Sequence, residues 1–108
     1  MKSIEFCGRT LGTIRSFPVQ VKHVIGHELD KVQRGLNPTD WKPMPTVGKG
    51  VREIRIQENG QYRVIYLTKN VDTVCVLHAF RNKTQKTRQQ DIKIARTAVR
   101  KLLLRSRP

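Results

Sequence analysis

The stretch from Val51 to Arg81, VREIRIQENGQYRVIYLTKNVDTVCVLHAFR, reads as three consecutive strands. Its β-branched and aromatic residues come in short runs, and each run stops at residues that favour turns. In Val51–Glu58 the side chains of Val51, Glu53, Arg55 and Gln57 fall on one face, those of Arg52, Ile54, Ile56 and Glu58 on the other, because successive strand side chains point to opposite sides. Asn59-Gly60 is a hairpin signal, since both residue types accept the left-handed backbone of a tight turn. Gln61–Lys69 then returns as the second strand, and Asn70 to Asp72 make another turn. Thr73–Arg81 is the most apolar strand and is placed centrally in the sheet. Val51–Glu58 is a candidate edge, guarded by its two arginines and two glutamates against pairing with another chain.

Upstream, Ser3–Cys7 alternates with Ile4 and Phe6 on one face, the pattern of an edge strand, and Gly8 ends it. Leu11, Ile14 and Phe17 recur at spacing three and predict a brief helix capped by Thr10. Pro18 opens a longer helix, because a proline in the first turn loses no hydrogen bond. Its stripe is Val21, Ile25, Leu29 and Val32, and Gly35 stops it. Together these segments make a helical hairpin. Asn37–Gly50 has three prolines, two glycines and no periodicity, so it is expected to be a loop, with Trp41 and Met44 folding back onto the core. Downstream of the polar loop Asn82–Thr87, Arg88–Arg105 predicts a helix whose Ile92, Ala95, Val99 and Leu102 can dock on the sheet. The expected fold is α+β over residues 1–108 as a single domain: a small twisted antiparallel sheet with an N-terminal helical hairpin and a C-terminal helix. One face of the sheet is expected to remain open for charged side chains.

Charge narrows the partners. Lys and Arg number 22 against 8 Asp and Glu, a net +14. From Arg81 to the end there are ten basic residues and one acid, so the excess is concentrated in the C-terminal quarter. Such a chain seeks polyanions, nucleic acid first and anionic membrane second. No apolar run approaches the ~20 residues of a bilayer span, and the start MKSIEF lacks the apolar core of a signal peptide. No membrane role and a cytoplasmic location are therefore expected. Cys7 and Cys75 lie far apart in sequence, and His23 and His27, four residues apart, join no recognisable metal pattern. Neither a metal nor any other cofactor is expected. Phosphate-binding and nucleophile-elbow signatures are absent, the acids are too scattered for a two-metal site, and Glu28 reads as helix surface.

The candidate chemistry is cationic. Arg55 and Arg63 can share a face if the Asn59-Gly60 turn sets that register, whereas Arg52 cannot join them without a bulge. The bland alternative is a pair of solvent-side arginines neutralised by Glu53 or Glu58. His78 sits within the apolar run VCVLHAF, two residues before Phe80 and therefore on its face. A lone strand histidine is more often structural than catalytic. Surrounding cations, however, disfavour its protonated form and leave an imidazole able to accept a proton. Arg81, Lys83, Lys86 and Arg88, with Asn82, Thr84, Gln85 and Thr87 interleaved, suit a phosphate backbone, and Phe80 offers a surface on which an unpaired base can stack. Cationic side chains can stabilise a phosphorane formed by attack of a neighbouring 2′-hydroxyl. The reaction also needs a base for that hydroxyl and an acid for the leaving oxygen. The acid role is open between His78, a lysine of lowered pKa and water.

The stretches DWKPMPTVGKGVREIRIQ, YRVIYL and VLHAFRNKTQKT, with HELDKVQRGLNP in the opening hairpin, resemble the phage-derived, HigB-like branch of the RelE/ParE toxin superfamily along nearly the whole chain. The resemblance implies the RelE-like fold and a type II toxin neutralised by a small helix-turn-helix antitoxin. Operator DNA would be bound only through the toxin–antitoxin complex. It further implies cleavage of mRNA on the ribosome without metal. By position, Arg55 and Arg63 resemble the strand cations that hold and polarise the RNA backbone. Arg81, Lys83 and Lys86 fall where the family has basic residues near the scissile phosphate. His78 and Phe80 belong to its HAF motif, and Glu53 stands where some relatives carry a lysine. The candidate catalytic set is thus Arg55, Arg63, His78 and Lys83, and the candidate RNA-binding set Phe80, Arg81, Lys86 and Arg88. The competing functions are a gyrase-inhibiting toxin of the ParE kind and a basic nucleic-acid-binding module without activity.

Overall fold

The computed structural model describes residues 1–69, 72–84 and 86–105. In chain order the elements are β1 (Ser3–Phe6), α1 (Thr10–Arg15), α2 (Val19–Gln33), β2 (Trp41–Pro43), β3 (Val51–Gln57), β4 (Gln61–Lys69), β5 (Thr73–Asn82) and α3 (Gln89–Arg105). The fold is α+β, with one five-stranded sheet in the order β1-β5-β4-β3-β2. Neighbours pair antiparallel except β1, which runs parallel to β5. The sheet is therefore mixed rather than antiparallel. The hairpin α1–α2 carries the chain across the sheet between β1 and the later strands, and such a crossover permits parallel pairing. The middle strand is β4, with β5 one place towards β1.

β2 corrects the expected loop over Asn37–Gly50. Trp41, Lys42 and Pro43 pair with Ile54, Glu53 and Arg52, so β2 forms the edge and β3 lies inside the sheet. A proline is tolerated there because an edge strand has one side with no ladder partner. Met44 is buried, and Trp41 is half-buried with the Arg52 guanidinium 4.0 Å over its ring. Asn59 (φ 51°) and Gly60 (φ 140°) make the β3–β4 turn. In the turn expected at Asn70 to Asp72, Asn70 and Val71 lie outside the described residues.

Both faces of the sheet are covered, which corrects the expected open face. On one side Val21, Ile25, Leu29 and Val32 of α2 pack with Ile54, Ile56, Tyr62, Val64, Tyr66, Val74, Val76 and Ala79. On the other, Ile92, Ala95 and Leu102 of α3 and Met44 and Val47 pack with Val51, Ile65, Cys75, Leu77 and Phe80. Glu28, expected on the helix surface, is buried. Its carboxylate accepts hydrogen bonds from Thr39 N (2.6 Å), Thr39 Oγ1 (3.0 Å) and Lys31 Nζ (3.3 Å), tying the loop to α2. Burial alone would raise its pKa, yet these donors more than cancel that effect and leave it below the ordinary glutamate value. Among the described residues no helix is long and apolar enough to cross a membrane.

One irregularity positions the site. Ile65 pairs with His78 but Tyr66 pairs with Val76, so Leu77 is an extra residue in β5. Strict alternation would keep His78 and Phe80 with Val74 and Val76 on the hairpin side. The bulge moves both to the α3 side, beside Ile65 and Arg63. The carbonyl of Leu77 is met by Thr10 Oγ1 at 3.3 Å, and the same hydroxyl lies 2.6 Å from Cys7 O. Thr10 is thus the first residue of α1, and its side chain serves the bulge rather than a cap.

Candidate cationic site

Arg55 and Arg63 face each other directly across β3 and β4, and Phe80 is the partner of Arg63 on β5. The register expected from Asn59-Gly60 is the one found. Between the two guanidiniums stands Glu53, fully buried, with Oε1 3.8 Å from Arg55 Nε and 3.6 Å from Arg63 Nε. Its other oxygen accepts a 2.7 Å hydrogen bond from Thr87 Oγ1. The bland expectation of solvent-side arginines is corrected at Arg63, which is only 4 % exposed. Glu53 is nevertheless the carboxylate that both arginines share. The Arg63 guanidinium donates to Gln61 Oε1 at 3.1 Å and to Tyr62 O at 3.3 Å. Burial lowers its pKa below the ordinary arginine value; Glu53 opposes that shift and Arg55 adds to it.

This cluster is under-satisfied. Among the described residues Glu53 Oε1, Arg55 Nε, Arg63 Nε and Asn82 Oδ1 are buried without a hydrogen-bond partner, although buried polar atoms are nearly always paired. One carboxylate against two guanidiniums leaves a formal charge of +1. An under-satisfied cationic cluster with Arg55 one-third exposed can take an anion, because charge-assisted hydrogen bonds to a phosphate oxygen exceed neutral ones in strength.

His78 forms a second cluster on the same face. Its Nε2 lies 2.8 Å from Asp91 Oδ1, and Arg88 Nε lies 3.0 Å from Asp91 Oδ2. The nearest charged partner of His78 is thus a carboxylate rather than the expected group of cations. Its ring stacks on Phe80, with centroids 5.1 Å apart and planes at 21°. It also borders a groove of about 770 Å³ between β1, α1 and α3. Strand spacings put the Cα atoms of His78 and Arg63 on one face of the sheet, roughly 8 Å apart.

The remaining candidates divide. Phe80 is 6 % exposed and belongs to the core beneath α3, so the exposed stacking surface expected of it is absent. Arg81 is on the opposite face: it pairs with Tyr62, and its guanidinium lies 5.9 Å from that ring. The bulge that brings His78 to the arginines necessarily sends Arg81 away. Lys83, Lys86 and Arg88 are exposed in the segment joining β5 to α3, with Gln85 outside the described residues. Asn82 Nδ2 donates to Thr84 O, and Thr84 Oγ1 donates to Lys86 O at 2.7 Å, which shapes that segment. Glu53 was expected only as a neutralising partner of solvent-side arginines and Thr87 only as an interleaved donor, and Asp91 was given no site role. Asp91 is the lone acid after Arg81, a signal that could have marked it. Among the described residues no three His, Cys, Asp or Glu side chains group as a metal site.

A comparison with curated proteins returns no match. A family model described as phage-derived protein, Gp49-like, matches residues 13–100, a span that runs from α1 into α3 and includes every side chain of both clusters. The chain belongs to the phage-derived Gp49-like family.

Proposed function

We propose that this protein is the toxin of a type II toxin–antitoxin pair and cleaves mRNA on the ribosome. The observation that carries the reading is the facing pair Arg55 and Arg63, which shares the single carboxylate of Glu53, keeps a net positive charge and has Nε atoms without a hydrogen bond, set one bulge away from an imidazole. Membership of a RelE/HigB-like toxin family supports it. In this reading the two arginines bind the scissile phosphate and stabilise charge developing on it. His78 accepts the proton of the attacking 2′-hydroxyl, and Lys83, Lys86 and Arg88 hold flanking phosphates. A helix-turn-helix antitoxin would neutralise the toxin and carry it to operator DNA.

A second reading has its own support. Each main cation has a carboxylate close by, Glu53 for the arginines and Asp91 for His78 and Arg88. That arrangement also suits a basic binding module without activity.

The test is a translation extract programmed with a defined message and scored for cut sites. Arg55→Ala is the cleaner variant, because Arg55 is partly exposed. Arg63→Ala leaves the buried Glu53 with less compensation and so perturbs the fold as well. The expected result is codon-dependent cutting by the wild type and a loss of roughly 10²-fold or more in Arg55→Ala, the scale of removing one transition-state donor. Wild-type protein that binds RNA and cuts nothing would establish the binding module instead.

A further inference from the structure

We propose that Asp91 is a positioning residue that holds the neutral ring of His78 as the tautomer with its proton on Nε2, so that Nδ1 is the atom that accepts a proton. The inference rests on the ribonuclease reading above. Asp91 is the third residue of α3 and only 3 % exposed. Both its oxygens are committed inside the cluster, Oδ1 to His78 Nε2 at 2.8 Å and Oδ2 to Arg88 Nε at 3.0 Å. An ionised carboxylate only accepts hydrogen bonds, so the proton between it and the imidazole belongs to Nε2. In a neutral ring the lone pair is then on Nδ1.

An acid in the first turn of a helix also has a purely structural use, offsetting the positive end of the helix dipole. That use is served by a carboxylate in solvent. It requires neither burial nor a histidine from the neighbouring strand at hydrogen-bond distance. The Phe80 ring stacked on His78 restricts rotation about the ring axis, so the Asp91 contact sets orientation as well as tautomer. Through Arg88 the same carboxylate ties the segment after β5 to the imidazole.

The chemical consequence is definite. The 2′-hydroxyl proton passes to Nδ1 while the 2′-oxygen bonds to phosphorus. The bond from phosphorus to the 5′-oxygen breaks, leaving a 2′,3′-cyclic phosphate; the 5′-oxygen takes a proton from water, and the hydroxide so formed takes the proton back from the imidazolium. The imidazolium formed is stabilised by the Asp91 carboxylate.

Two measurements test this. The first is the ¹⁵N spectrum of the His78 ring in the wild-type protein, recorded where the ring is neutral; a pyrrole-type Nε2 and a pyridine-type Nδ1 are expected. The second is cleavage by Asp91→Asn, which can donate to the ring as well as accept and so releases the tautomer. A fall in kcat of roughly 10²–10⁴-fold with KM little changed is expected. A neutral wild-type ring protonated on Nδ1 overturns the inference, as does wild-type kcat in Asp91→Asn. The ring spectrum decides even if that variant fails to fold. Wild-type protein that cuts no message removes the ribonuclease reading itself, and this inference with it.

Discussion

Replacing Glu53 by glutamine removes one charge from the centre of the cationic cluster with almost no change in shape. At 3.6 Å and an effective dielectric of about 20, its attraction for Arg63 is about 4–5 kcal/mol. Arg55, at 3.8 Å, adds only part of a similar term because water reaches it. The Thr87 hydroxyl can still donate to the amide oxygen, so that bond weakens rather than disappears. Arg63 has no comparable relief, being 4 % exposed. Breaking a buried pair from one side costs about 3–5 kcal/mol, a large share of the 5–15 kcal/mol typical of a whole domain. The assay is urea unfolding at neutral pH, where the midpoint should fall by about 2–3 M. Phosphate supplies the second arm. The variant cluster carries one more net positive charge, so inorganic phosphate should stabilise it more than the wild type, returning about 1.4 kcal/mol at ten times its Kd. A glutamine variant that unfolds within about 0.5 kcal/mol of wild type would refute the reasoning. The arginines would then be solvated well enough to need no internal anion.

Two further perturbations probe how the scaffold holds the site. The lowered pKa of Glu28 means that its contribution is complete above the ordinary carboxylate range and is lost as pH falls through the folded-state value. Glu28→Gln should therefore cost about 1–2 kcal/mol at neutral pH, nothing in strong acid, and should flatten the acid limb of a stability–pH curve; equal stability across the whole range would exclude that role. Gly60→Ala forces a Cβ onto a backbone at φ +140° and to 3.3 Å from the Arg81 guanidinium. It should lower stability by about 1 kcal/mol or more in thermal unfolding, and an unchanged Tm would mean that the turn relaxes freely.

Periodicity and turn chemistry made most of the scaffold legible. The helical hairpin, the run of three strands and the terminal helix rest on signals local to each segment: spacing of three or four, alternation, and Asn59-Gly60. What escaped was set by pairing between distant segments. β2 has no alternation of its own and becomes a strand because β3 offers a free edge to Trp41–Pro43. The parallel direction of β1 depends on where the hairpin returns the chain. The facing of Arg55 and Arg63 was readable because the turn that sets it lies between them. The burial of Glu53 and Asp91 was not, since nothing in a linear reading distinguishes a carboxylate destined for full burial from one left in water. Phe80 lost its expected exposure because α3 covers the face it shares with His78, and Arg81, the next residue, falls on the opposite face by alternation.

Leu77, the extra residue of β5, acts as a half-period phase shift. Before it, odd-numbered positions of β5 look towards α3; after it, even-numbered ones do. The strand therefore obeys two parity rules, and the junction between them is one amino acid long. Deleting Leu77 would leave Ile65 opposite His78 and Tyr66 opposite Val76 in an unbroken ladder, so the imidazole would keep its side and only one side chain beneath the terminal helix would be lost. The junction can therefore absorb the loss of one residue, whereas a deletion elsewhere between paired positions would exchange the sides of everything beyond it.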